Sequence, residues 1–254
     1  MKIALLQLDI VWEDILANKL KIENALEQNN SFDILVLPEM FTTGFTMFPA
    51  PLAEKMDGVT MAWLKKLSVK YNCAITGSLI IKENNSYYNR MVFVHPNGKV
   101  DYYDKRHLFS LAGEVKVYTN GTNKKVVLYK EVRFCLQVCY DLRFPVFSRN
   151  TNDYDVLLYV ANWPVQRINA WDALLKARAI ENMSYAIGVN RVGEDANKHT
   201  YSGHSQAIDY LGKTIVEPYK EEAIAVFEID LEALKLTRKK LDFLNDADVF
   251  KIIQ

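Results

Sequence analysis

Apolar and polar positions recur along this chain with two different periods, and the changes of period mark where strands give way to helices. KIALLQL opens as a short apolar run, which predicts a strand. After Asn18, the apolar residues Ile22, Ala25 and Leu26 fall among Lys19, Glu23 and Glu27, the stripe of an amphipathic helix. FDILVLP predicts a buried strand stopped at Pro38, whose ring fixes φ and removes a donor. Leu64, Leu67 and Tyr71 mark a second helix, and CAITGSLII is the strand after it. MVFV and VDYYDK read as strands joined through Asn97-Gly98, a dipeptide suited to tight hairpin turns. EVRFCLQVC and DVLLYVAN are two further apolar strands. Trp171, Leu175, Ala179 and Met183 step by four along a long helix, and IGVN follows as a strand. SQAIDYLGKTIVEP predicts a hairpin about Leu211-Gly212, AIAVFEID a last strand, and a charged helix closes the scheme. Helices interleaved with both hairpins and buried strands predict a mixed α/β fold of layered sheets. No linker, repeat or low-complexity stretch interrupts residues 1–254, so one domain is expected.

Composition narrows the function classes. Lys plus Arg and Asp plus Glu each number 31, so no basic field is available for nucleic acid or an anionic membrane. The densest basic cluster, Arg238-Lys239-Lys240, reads as a solvated helix face. The first apolar run is too short for a secretory signal, and no run approaches the roughly 20 residues of a membrane span. Cys135 and Cys139 on one strand would lie about 13 Å apart, beyond the roughly 7 Å between Cα atoms that a disulfide tolerates. Cys73, Cys135 and Cys139 therefore form no disulfide framework, and a reduced, cytoplasmic protein is expected.

Three reactive residues share one kind of position. Glu39 follows FDILVLP, Lys105 follows VDYYD, and Cys139 ends EVRFCLQV, each where an apolar strand runs out. Ligand crevices of layered α/β folds lie beyond strand carboxyl ends, and three such strands side by side would join a carboxylate, an ammonium and a thiol. A cation lowers a thiol pKa and a base removes its proton, so Lys105 would supply positive charge beside Cys139 and Glu39 would shuttle the proton to the leaving group. The Tyr140 N–H and Lys105 would bind an oxyanion, a set suited to acyl transfer from an amide or nitrile to sulfur. The alternative is a buried cysteine, a strand-end lysine and a helix-capping glutamate. Strand alternation places Arg133, Cys135, Gln137 and Cys139 on one face, and Gln137 then needs a polar partner. Cys135, in mid-strand, and Cys73 read as core. His107 either packs locally or serves a Cys–His pair. No GxGxxG, P-loop or zinc spacing occurs.

LPEMF, YDKRHLF, VCYDLRFP, YVANWP and ARAIEN stand in this order, and together they resemble the nitrilase superfamily of carbon–nitrogen hydrolases. PEMFTTGF, CYDLRFPVFSRN and NRVG resemble its omega-amidase branch in particular, and the likeness runs from QLD in the first strand to FEID in the last. The resemblance implies a four-layer α-β-β-α sandwich, a homodimer, and no metal or organic cofactor. It implies a Glu–Lys–Cys triad of Glu39, Lys105 and Cys139, with Glu114 in LAGEVKVY as an assisting carboxylate. It implies hydrolysis of the terminal amide of small 2-oxo dicarboxylic acid monoamides, such as 2-oxoglutaramate and 2-oxosuccinamate. Such a substrate carries a carboxylate, for which Arg143 is the nearest cation in sequence, unless Asp141 claims it in a salt bridge. Trp163 in ANWP is either a pocket wall or core. Gln137 departs from the short aliphatic residue of many relatives. A nitrilase or N-carbamoyl amine hydrolase of the same fold is the alternative activity, and a non-catalytic scaffold the alternative class.

Overall fold

The computed structural model describes residues 1–29 and 31–252. It opens with β1 (Lys2–Gln7), buried at every position after Lys2. α1 (Ile15–Gln28) starts where the Asp14 carboxylate accepts a hydrogen bond from the Ala17 N–H at 2.9 Å, satisfying one of the helix's unpaired donors. The helix therefore begins ahead of Asn18, whose amide turns inward to donate to the carbonyls of Val11 and Thr42. β2 (Ile34–Val36), α2 (Val59–Tyr71), β3 (Ala74–Glu83), β4 (Ser86–Val94) and β5 (Val100–Asp104) follow. β4 begins at Ser86 rather than at the apolar Met91, because Asn84 and Asn85 hold φ of 48° and 65° and turn the chain straight out of β3. Asparagine tolerates that left-handed region better than most residues. The expected Asn97-Gly98 hairpin joins β4 to β5, with Gly98 at φ 85°.

The second half holds β6 (Val126–Tyr129), β7 (Val132–Val138), α3 (Pro145–Ser148), β8 (Val156–Val160), α4 (Ile168–Glu181), β9 (Tyr185–Val189), β10 (Val192–Glu194), β11 (Thr200–Ser202), β12 (Ser205–Ile208), β13 (Thr214–Tyr219), β14 (Ala223–Glu228) and α5 (Leu231–Leu241). The Gly212 hairpin joins β12 to β13 as expected. β6 has no such signal: its turn into β7 is Lys130-Glu131, both at positive φ.

Two six-stranded sheets result, ordered β14-β1-β2-β3-β4-β5 and β13-β12-β9-β8-β7-β6. Each has a parallel centre, β1-β2-β3 and β7-β8-β9, with antiparallel edges. Alternation along each strand sends side chains to both faces. Ile3, Val36 and Phe93 of one sheet meet Phe134, Val156 and Ile187 of the other in a shared core. On the outer faces, Leu35, Ile75 and Val92 pack on α1 and α2 through Ile22, Leu26 and Leu64, and Leu157 and Ala186 pack on α4 through Trp171 and Leu175. The layers are α-β-β-α, and strands covered on both faces explain the near-continuous apolar runs.

α5 corrects one expectation. Lys239 and Lys240 are exposed, but Arg238 turns inward, pairs with Asp155 at 2.9 Å and donates to the carbonyls of Met183 and Tyr154. Arg238 thus ties α5 to the second sheet instead of joining a solvated face. Among the described residues, no helix is long and apolar enough to cross a membrane.

Candidate active site

Glu39, Lys105 and Cys139 each sit just past the carboxyl end of a strand, but the strands are not side by side. β2 and β5 lie in one sheet with β3 and β4 between them, and β7 lies in the other. The three side chains meet between the two sheets, not along one. The Glu39 loop folds back on β3, with the Leu37 N–H donating to Thr76 O (2.7 Å) and the Met40 N–H to Ser78 Oγ (2.8 Å). Gly77 permits this approach, since a Cβ there would lie 2.8 Å from both Leu37 Cβ and a Phe41 ring carbon.

Cys139 does not continue the β7 alternation. The strand ends at Val138, and Cys139 takes φ 45° as the first residue of a 3-10 turn running to Arg143. A left-handed non-glycine residue costs about 1–3 kcal/mol and persists where its surroundings fix it. The rotation swings Cys139 off the Cys135 face, so that it touches both the inter-sheet core and the α4-side core. Sharp strand-to-helix turns of this kind present a side chain into a crevice. Gln137 stays on the Cys135 face, donates to Leu136 O at 2.8 Å and does not line the cavity.

The turn is pinned by Asp141. Its buried carboxylate accepts from the Val138 N–H (2.9 Å), the Tyr103 hydroxyl (2.8 Å), the His107 N–H (3.0 Å) and His107 Nδ1 (2.7 Å). His107 is thereby committed to Asp141, stacked on Phe144 with centroids 3.9 Å apart, and it is not a partner of Cys139. Asp141 likewise has no bond to Arg143. Replacing Asp141 with alanine orphans several buried donors at about 1–3 kcal/mol each. The expected result is a loss of at least about 3 kcal/mol in chemical denaturation, with Asp141→Asn recovering part of it; an unchanged midpoint for the alanine variant would refute this role.

The charged groups form one network. Lys105 Nζ donates to Glu39 Oε1 at 2.9 Å and to Glu114 Oε2 at 2.9 Å, and all three side chains are buried. Asn89 Nδ2 bridges the two carboxylates, 2.7 Å from Glu39 Oε1 and 3.3 Å from Glu114 Oε1. The Asn162 N–H donates to Glu39 Oε2 at 2.8 Å, and the Phe109 N–H to Glu114 Oε2 at 2.5 Å. The Cys139 thiol lies beside the Glu39 carboxylate and the Asn162 N–H.

Burial lowers the Lys105 pKa, but the Glu114 and Glu39 carboxylates outweigh it, so the ammonium is held above its ordinary value. Burial raises Glu114, with Lys105 opposing and Glu39 adding to the rise. Burial and the Glu39 carboxylate push the Cys139 thiol well up, against Lys105. The effect of Lys105 on the thiol has the expected sign, and desolvation outweighs it. A protonated thiol next to an acceptor carboxylate suits proton removal in the same step as attack. Burial is the main cause that pushes Cys73 and Cys135 to about 12, consistent with core thiols. Among the described residues, no cluster of three or more His, Cys, Asp or Glu is placed to hold a metal.

A cavity of about 560 Å³ opens over this network. Glu39, Lys105, Cys139 and Tyr140 line its chemical end. Arg143, Trp163 and Arg167 line its wall, with Trp12, Phe45, Phe48 and Phe109 supplying apolar surface. Glu114 lies behind Lys105 and is not part of the lining. Trp163 is both wall and core, since it also packs on Trp171 at 5.5 Å and donates its indole N–H to Arg167 O at 2.8 Å. Sequence reading missed Asn89, Asn162 and Arg167. Asn162 stands inside the ANWP segment, and Asn89 is a fully buried polar residue just before the apolar run of β4, so both left a faint trace. Arg167 left none.

The carbon-nitrogen hydrolase family model matches residues 2–239. The chain is 43% identical to the omega-amidase YafV of Yersinia enterocolitica, covering 100% of this chain and 99% of that one. It is 33% identical to the 2-oxoglutaramate amidase of Bacillus subtilis, over 96% of each. Among solved structures, a CN-hydrolase superfamily protein of Xanthomonas campestris, with an arsenic adduct in its active site, superposes with a TM-score of 0.96 at 39% identity, covering 99% of this chain and 98% of that one.

Proposed function

Because the chain belongs to the carbon-nitrogen hydrolase family, we propose that it is an omega-amidase, which hydrolyses the terminal amide of small 2-oxo dicarboxylic acid monoamides and releases ammonia. 2-Oxoglutaramate and 2-oxosuccinamate are the substrates of that type. The observation that carries the reading is the cavity itself, with a thiol, a carboxylate and an ammonium at one end and a guanidinium wall beside them. The relatives named above support the same reaction.

In this mechanism Glu39 takes the Cys139 proton as sulfur attacks the amide carbon, which removes the need for a preformed thiolate. The oxyanion is met by the Lys105 ammonium and the Tyr140 N–H. Collapse of the intermediate expels ammonia, which takes the proton from Glu39 and leaves a thioester on Cys139. Water, deprotonated by Glu39, then attacks the thioester, and the carboxylic acid leaves as the thiol regains its proton. Glu114 shares Lys105 with Glu39 and holds the ammonium in place. Asn89 and Asn162 fix the Glu39 carboxylate through the hydrogen bonds above. Arg143 binds the substrate carboxylate, a reading supported by its freedom from Asp141, and Trp163 walls the pocket. The proposal includes a reduced cytoplasmic homodimer working without a cofactor, and light scattering tests the dimer.

The activity is tested by ammonia release across a panel of 2-oxoglutaramate, aliphatic nitriles and N-carbamoyl amines. Turnover is expected for the keto-acid amide, with little for the others. Turnover of nitriles or carbamoyl amines alone would assign the same chemistry to a nitrilase or carbamoyl hydrolase. No turnover of any compound, with Cys139 inert to thiol reagents, would favour a scaffold.

A further inference from the structure

The chain contains nine arginines, and seven of them donate guanidinium hydrogen bonds to carboxylates or backbone carbonyls. The other two, Arg143 and Arg167, both line the Cys139 cavity. Neither of their guanidinium groups has a hydrogen-bond or ion-pair partner among the described residues. An arginine fork is always charged and offers five donors, so two unmatched forks on one cavity wall are prepared for a ligand.

We infer that Arg167 is a second anchor for the substrate, acting with Arg143 as a paired clamp on its 2-oxo-carboxylate end. The inference rests on the omega-amidase reading and goes beyond it in naming the residue that reads the oxo acid. Each guanidinium lies over an aromatic ring: Arg143 Cζ is 5.0 Å from the Trp163 centroid, and Arg167 Cζ is 5.2 Å from that of Phe109. Stacking of this kind restrains a guanidinium while leaving its N–H edge free. Trp163 couples the pair, because the ring under Arg143 also donates its indole N–H to the carbonyl of Arg167 at 2.8 Å.

The carboxylates on the same cavity do not compete for these cations. Glu39 is held by Lys105, Glu13 accepts from the Thr46 hydroxyl at 2.6 Å, and Asp195 accepts from the Tyr201 hydroxyl at 2.8 Å. A 2-oxo acid presents two carboxylate oxygens and an adjacent keto oxygen. One fork serves the carboxylate through two parallel bonds, and the second serves the remaining lone pairs and the keto group. A saturated monoamide of the same length lacks the keto oxygen and so gains less from the second fork.

The test compares kcat and KM of wild type, Arg167→Gln and Arg167→Lys on 2-oxoglutaramate and on glutaramate, the same chain without the oxo group. One charge-assisted hydrogen bond is worth about 10- to 100-fold in binding. Arg167→Gln is therefore expected to raise KM for 2-oxoglutaramate by that factor with a smaller change in kcat. The rise should be smaller for glutaramate, and Arg167→Lys should recover part of the loss. Alkylation of Cys139 by iodoacetamide and thermal melting check that the variant pocket is intact. A kcat/KM within twofold of wild type, or equal losses on both substrates, would overturn the clamp and leave the omega-amidase reading standing. Failure of the wild type itself to hydrolyse 2-oxoglutaramate would overturn that reading instead.

Discussion

Cys139→Ala is expected to reduce ammonia release from 2-oxoglutaramate by at least about 10⁴-fold, the loss typical of removing a covalent nucleophile. No neighbouring group can replace the sulfur. Cys73 and Cys135 are buried, with thiols pushed up to about 12, and neither lines the cavity. The fold should tolerate the change, because Cys139 is the one cysteine with surface open to the cavity and alanine removes only that sulfur. Thermal melting within a few degrees of wild type, together with lost turnover, is the expected pair of results. Intact-mass spectrometry adds a direct reading: wild type mixed with slow substrate should carry the acyl mass, and the variant should not. Equal turnover by the two proteins would remove Cys139 from the mechanism altogether.

Lys105→Met is expected to lose both activity and stability. Lys105 is the cation between the buried carboxylates of Glu39 and Glu114, 2.9 Å from each. Removing one member of a buried ionic cluster strands the others, at a cost of about 3–5 kcal/mol. Loss of an oxyanion donor adds about 10²–10³-fold in kcat. The stability loss should depend on pH with a definite sign. Burial already raises Glu114, with Glu39 adding to it, and Lys105 is the opposing influence. Without Lys105, the folded state binds a proton at Glu114 more tightly than the unfolded chain, whose glutamates titrate near about 4.3. Stability then falls as pH rises through the raised folded value, because the folded state holds more protons. Lys105→Met should therefore lie closest to wild type in mildly acidic buffer and furthest from it in alkaline buffer. A destabilisation that did not vary with pH, or grew on acidification, would contradict a stranded carboxylate pair.

Much of the architecture was legible because it follows from local chemistry. Asn97-Gly98 and Leu211-Gly212 mark their hairpins since glycine accepts positive φ. β2 and β7 are apolar runs that end just before polar residues, and β5 ends at Asp104 beside Lys105, so the strand-end positions of Glu39, Lys105 and Cys139 could be read directly. The Lys130-Glu131 turn could not, because neither residue favours a left-handed backbone and the pairing of β6 with β7 holds it there. The same holds for Cys139, whose φ of 45° broke an alternation that a straight strand would have kept. Arg238 read as a surface cation because its partner Asp155 is remote in sequence.

By itself, then, the sequence determined the order of the main strands and helices, though not β6, α3, β10 or β11, together with the burial of the central strands and the residue types available for acyl transfer to sulfur. Tertiary structure alone decided that β2 and β5 face β7 across two sheets, that Asn89 and Asn162 hold Glu39, and that burial pushes the Cys139 thiol up. It also decided that Arg143 and Arg167 stand unmatched on one cavity wall. The physical reason is range. Backbone preference and apolar period act over a few neighbouring residues, whereas electrostatic partnership and exclusion of water depend on which distant segments the packed sheets bring together.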